Sequence, residues 1–129
     1  WRDVLSKSYD AILASNTIHC FENPYETLDR LASIESRYFV VQDVPVIPGK
    51  RDRITIHVPP PIKLYRMYRA ENFLKFPAWF FSEEKLFEGF LRNYSVRMWW
   101  YSGNVALLEG KPIHRKSYLL EKTSSKKGA

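Results

Sequence analysis

Apolar positions along this chain come in two spacings. Tyr9–Ser15 (YDAILAS) holds a near-continuous apolar block, and so does Tyr38–Gln42 (YFVVQ). Unbroken blocks of that length predict parallel strands buried on both faces. Between them the spacing widens. From Tyr25, the apolar residues Leu28, Leu31 and Ala32 recur at three- and four-residue steps, which predicts an amphipathic helix over Pro24–Ile34. Asn23 is its expected cap and Pro24 its first helical residue. Strand, helix, strand is a βαβ unit, with parallel pairing and a right-handed crossover. Both carboxyl ends, Ser15-Asn16 and Asp43, then lie on one edge of the sheet, where open α/β sheets bind their ligands.

Residues 44–79 break the pattern. They hold six of the eight prolines and no long helical period, so an irregular, lid-like loop is expected. Within it Ile54–Val58 suits a short extended segment and Ala70–Leu74 a helical turn. Ser82 then caps a helix opened by Glu83 and Glu84, with Leu86, Phe87, Phe90 and Leu91 as its apolar face and an end near Asn93. Tyr94–Ser102 and Arg115–Lys122 read as strands. The glycines and Pro112 between them predict an antiparallel hairpin with a long loop. No internal repeat is present.

Composition narrows the class. In 129 residues, 45% apolar and 16% aromatic, there is enough to bury one core, so a disordered chain is excluded. No apolar run is long enough for a transmembrane helix, and the first residues lack the apolar middle of a signal peptide. The single cysteine, Cys20, excludes an internal disulfide and suits a reducing, cytoplasmic setting. Charge divides along the chain: 4 Lys/Arg against 7 Asp/Glu over residues 1–49, and 16 against 7 over residues 50–129. A basic second half suits anionic partners. Its last residues, 123–129, read as a disordered, solvated basic tail.

The element order ends on a reversed hairpin after two parallel strands, and in this it resembles the second half of the class I S-adenosylmethionine-dependent methyltransferases. Tyr9–Ser15 resembles that family's fourth strand and Tyr38–Asp43 its fifth. Tyr94–Ser102 and Arg115–Glu121 resemble the sixth and seventh, the seventh inserting next to the fifth. The stretch YDAILASNTIHCFENPYETLDRLA is similar to the family's run of Asp, apolar residues, a small polar pair, an apolar-His step and a Pro-opened helix. RITIHVPPPIKLY followed by FPAWFFSEEKL looks like a bacterial group of methyltransferase-like proteins of unknown substrate. The likeness covers roughly residues 9 to 122. It implies an α/β fold, the C-terminal half of a Rossmann-like methyltransferase sheet: two parallel strands plus an antiparallel terminal hairpin, with flanking helices. Residues 1–122 form that partial domain. It also implies methyl transfer from S-adenosylmethionine to a small-molecule or saccharide-like acceptor. The family holds its cofactor mainly through a glycine-rich turn and an acidic strand end. Neither is in this sequence, whose five glycines include no G-x-G pair. The resemblance therefore implies a fragment, inactive alone, whose main cofactor half is absent.

Candidate residues follow from that mapping. Ser15, Asn16 and Thr17 border the cofactor, or simply satisfy a strand terminus. His19 is the candidate base toward a methyl acceptor, or a packed crevice histidine. Asp43 orients His19 or binds substrate, or caps a turn. His57, Tyr65, Tyr68 and Trp79 in the long loop are candidate acceptor contacts, or satellite core. Arg51, Arg53, Lys63, Arg66 and Arg69 suit a phosphate or sugar nucleotide, or a solvated face. Cys20 has no partner residue for a nucleophilic triad, and the three histidines lack metal-ligand spacing, so no metal is expected. Two other classes stay open. One is a nucleic-acid-binding module, which the basic, aromatic-rich half would serve, although no recognised motif supports it. The other is a non-catalytic domain that pairs its open strand edge with a partner subunit or a missing N-terminal half.

Overall fold

A computed structural model describes residues 2–57 and 76–123. The chain runs through a one-turn helix α1 (Arg2–Leu5), strand β1 (Ser8–Ser15) and a 3-10 turn (Ile18–Cys20). Helix α2 (Pro24–Ala32) and strand β2 (Glu35–Ile47) follow, then strands β3 (Arg53–His57) and β4 (Phe76–Ser82). Helix α3 (Glu83–Phe90) leads to strands β5 (Tyr94–Leu108) and β6 (Lys111–Lys122). The fold is mixed α/β on one six-stranded sheet.

The length of β2 organises that sheet. Its first half lies between β1, parallel to it, and β6, antiparallel to it. Its end, Val46-Ile47, pairs in parallel with Phe81-Ser82 of β4, and β4 carries β3 as an antiparallel neighbour. β5 closes the other side against β6. The βαβ unit and the insertion of β6 between β2 and β5 are thus as expected.

Side chains alternate across the sheet, so register sorts them by face. Ala14, Phe39, Val41, Tyr118 and Leu120 share the face on which α2 (Leu28) and α3 (Leu86, Phe90) pack, and form the main core. Aromatic edges fill it: Phe39 against Tyr94, and Phe87 and Phe90 against Tyr118. A second, smaller core of Ile47, Phe80, Ala106 and Leu108 joins the far end of the β5–β6 hairpin to β2 and β4.

Several sequence expectations need correction. β1 is an edge strand, not one buried on both faces: only Ala14 is buried, and Leu13 is 63% exposed. β2 does not end at Asp43 but continues to Ile47. Residues 44–79 are not irregular throughout, since they contain the end of β2, all of β3 and most of β4; Pro45 and Pro77 sit inside strands. The prolines misled because Pro is tolerated where a strand bulges or leaves its N–H unpaired. The hairpin loop is short, for Leu108 pairs with Lys111. Asn23 makes no side-chain cap; instead the Thr27 hydroxyl donates to its carbonyl at 3.2 Å. Ser82 does cap α3, accepting from the Lys85 amide at 3.3 Å. The helical turn expected at Ala70–Leu74 and the tail over residues 124–129 lie outside the described residues. Among those described, no helix is long and apolar enough to cross a membrane.

Candidate functional site

Two irregularities in the sheet face the same stretch of β6. The β2–β6 register shifts between Val41 and Val44, and the β5–β6 register shifts between Tyr101 and Val105. Asp43 sits in the first shift with φ 64°, and Gly103 sits in the second with φ 81°. A Cβ on Gly103 would meet nothing within 4 Å, so it is the backbone angle that favours glycine there. Bulges of this kind re-aim side chains. Here they turn polar groups from β2 and β5 toward one another across Arg115 and Ser117 of β6.

The Asp43 carboxylate is the hub. Ser102 Oγ donates to its Oδ1 at 2.7 Å, and Asn104 Nδ2 reaches both oxygens at 3.1 Å. The Asp43 amide donates to Ser117 Oγ at 3.0 Å. Arg115, only 6% exposed, supplies the cation: its Nη1 lies 3.7 Å from Asp43 Oδ2 and donates to the Asp43 carbonyl at 3.3 Å. The same Nη1 donates to Asn16 Oδ1 at 2.8 Å and stands 3.5 Å from His19 Nε2. Burial lowers the guanidinium's pKa, and the Asp43 charge opposes that shift. A buried cation persists only when paired and hydrogen-bonded, and Arg115 is both. Burial likewise pushes the Cys20 thiol up, with the nearby Arg115 charge opposing, so Cys20 is not an activated nucleophile.

The expected site residues divide between this cluster and its surroundings. Ser15, Asn16 and Thr17 lie at the carboxyl edge of β1. Ser15 Oγ donates to Gln42 Oε1 at 3.1 Å, while Asn16, with φ 51°, donates its amide to the Gln42 carbonyl at 2.9 Å. Thr17 precedes the 3-10 turn and makes no side-chain cap, and its hydroxyl-bearing side chain is exposed. His19, in that turn, is buried. His19 and Asp43 thus reach the same cluster with Arg115 standing between them. Trp79 is half-buried on β4 and donates its indole N–H to the Phe21 carbonyl at 3.1 Å. It lines two cavities: one of about 490 Å³ with Tyr25, Arg51 and Lys85, and one of about 590 Å³ with Cys20, Phe21 and Ile54. The backbone of His57 pairs with Phe76; its side chain, like Tyr65 and Tyr68, lies outside the described residues. Among the described residues no group of His, Cys, Asp and Glu converges as metal ligands would.

Sequence reading missed Arg115, Ser102, Asn104 and Ser117. Two signals were available. Arg115 and Ser117 alternate with Lys116, Tyr118 and Leu120, and so place two polar residues on the face of β6 that Leu119 shares. Gly103 interrupts an alternating run, which is a mark of a bulge as much as of a loop. No protein-family model matches the chain, and no curated protein matches it at a significant level.

Proposed function

We propose that the chain is the acceptor-side half of a class I methyltransferase-like sheet, acting in methyl transfer from S-adenosylmethionine to a small-molecule or saccharide-like acceptor. The observation that carries this reading is the strand order β1-β2-β6-β5, in which an antiparallel β6 separates two strands that run the same way. That reversed ending is the feature on which the family resemblance rests. In this reading Ser15, Asn16 and Thr17 form one edge of the cofactor site. The acceptor enters beside the 3-10 turn, over the cavities that Trp79 lines. His19, buried one residue from the Cys20 that lines the second cavity, is the candidate base of this reading once the acceptor reaches it, and Asp43 and Arg115 fix the wall behind it. The residues present do not by themselves make a cofactor site, since no G-x-G turn occurs among them.

The test is to read the gene upstream of the Trp1 codon and express the extended protein beside the 129-residue chain. With methyl-tritiated S-adenosylmethionine, the extended protein retains label on a filter and the shorter chain does not. An upstream frame without a strand and G-x-G turn, or an extended protein that retains no label, overturns the reading. The open edge of β1 then favours the second reading, a non-catalytic domain that pairs with a partner subunit.

A further inference from the structure

A separate feature lies at the far end of the sheet, where the β2–β3 turn meets the β5–β6 turn. The cleft between them has a volume of about 540 Å³, within the ~300–1,000 Å³ usual for small-molecule sites. Its floor is apolar: Ile47, Leu108 and Ile113, all part of the smaller core. Its rim carries Lys50, Arg51, Arg53 and Lys111 against one carboxylate, Glu109. Arg53 pairs with Glu109 at 3.2 Å across the cleft. Among the described residues Lys50, Arg51 and Lys111 have no ion-pair partner.

Both walls are held in place. The Gly49 carbonyl accepts from Ser82 Oγ at 2.6 Å. Two residues past Lys50, Asp52 accepts from the Ser82 amide at 2.7 Å, the Lys85 ammonium at 2.8 Å and the Tyr25 hydroxyl at 2.9 Å. The opposite wall is the two-residue turn Glu109-Gly110, closed by the pairing of Leu108 with Lys111. A binding site whose walls are fixed beforehand loses little ordering entropy on binding.

We infer that this cleft binds a small phosphorylated molecule with a planar or apolar body. The unpaired cations meet the phosphate, the guanidinium of Arg51 or Arg53 stacks on a planar group, and the body lies on the apolar floor. An extended nucleic-acid strand fits less well, because such strands are held by stacking on aromatic side chains along a groove. No aromatic residue among those described lines the cleft. The site shares no residue with the His19–Asp43–Arg115 cluster, and only Arg51 also lines a cavity beside Trp79, so AMP binding here is read separately from cofactor binding.

Calorimetric titration of the 129-residue chain with AMP, inorganic phosphate and adenosine tests it. AMP saturates one site, phosphate alone binds more weakly, and adenosine does not bind. In Lys50→Glu/Lys111→Glu, whose exposed side chains leave the urea midpoint unchanged, AMP binding weakens by at least about tenfold. Amide shifts at Gly49 and Gly110 accompany saturation in the unaltered chain. Absence of saturation by either AMP or phosphate overturns the inference, as does equal affinity in the charge-reversed variant. A single-stranded oligonucleotide that binds where AMP does not overturns it in favour of a nucleic-acid surface.

Discussion

Arg115 is the residue on which the central cluster turns, because it serves three acceptors or partners on three different segments: Asn16, His19 and Asp43. Removing it leaves the Asp43 carboxylate buried with no cation, and Arg115→Ala is expected to lower stability by about 3–5 kcal/mol. If the cluster acts as a unit, Arg115→Ala/Asp43→Ala costs less than the sum of the single changes by at least ~1 kcal/mol. Urea unfolding of the four proteins measures the coupling, and strict additivity refutes a connected cluster. Two tyrosines set a separate pH limit. Tyr25 donates to Asp52 and Tyr118 to Glu83, each at 2.9 Å. Burial first, and the neighbouring carboxylate second, raise both phenols above their ordinary 10.0. The folded chain therefore keeps protons that the unfolded chain has released once the pH passes about 10. The stabilisation is complete below that pH and is lost above it, at up to ~1.4 kcal/mol per pH unit for each tyrosine. In a series of urea midpoints from pH 8 to 11 the fall begins near pH 10 in the unaltered chain, and Tyr25→Phe and Tyr118→Phe each flatten it.

At the scale of elements, the sequence was most legible where one local rule decides. The period of Leu28, Leu31 and Ala32 and the proline at the first helical position place α2, and Ser82 with its acidic successors places α3, because caps and helical periods act over a few residues. It was least legible where a distant partner decides. Nothing local tells that Phe76–Ser82 pairs with both β2 and β3, and the apolar text FPAWFF suits a loop against the core equally well. The β5–β6 hairpin was misjudged for another reason. Glu109 at φ 52° is an uncommon choice for the first position of a turn in which both central residues are left-handed, where Asn is preferred. The turn therefore depends on Gly110 at φ 76°, and Gly110→Ala is expected to cost about 1–2 kcal/mol. Glu109→Asn relieves the other strained position but removes the exposed pair with Arg53, which is worth little. Thermal melts of the two variants check this: a Gly110→Ala melt that matches the unaltered chain refutes the turn assignment.

The whole molecule explains why an apolar strand is left exposed. Composition alone equates the run Ala11-Ile12-Leu13-Ala14 with burial, but burial depends on what lies beyond the strand's edge and over each face. Register puts Ile12 and Ala14 on the side of α2 and α3. It puts Leu13 on the other face, in a row with Val40, Leu119 and Met98, one residue from each of four strands. Neither α2 nor α3 packs on that row, and Leu13 and Met98 at its ends are 63% and 58% exposed. A sheet with antiparallel pairs can leave one face to water, but an apolar row open there favours association. The two neighbouring positions then answer oppositely to the same substitution. Leu13→Lys leaves stability within about 0.5 kcal/mol, since it replaces an exposed side chain. Ala14→Lys forces an ammonium into the main core and leaves the chain unfolded. Urea unfolding separates the two, and sedimentation velocity reads the remaining consequence: any self-association of the unaltered chain weakens in Leu13→Lys at unchanged stability. Equal damage from both substitutions would mean that β1 is covered on both sides, and association that persists through Leu13→Lys would place the contact elsewhere than on this row.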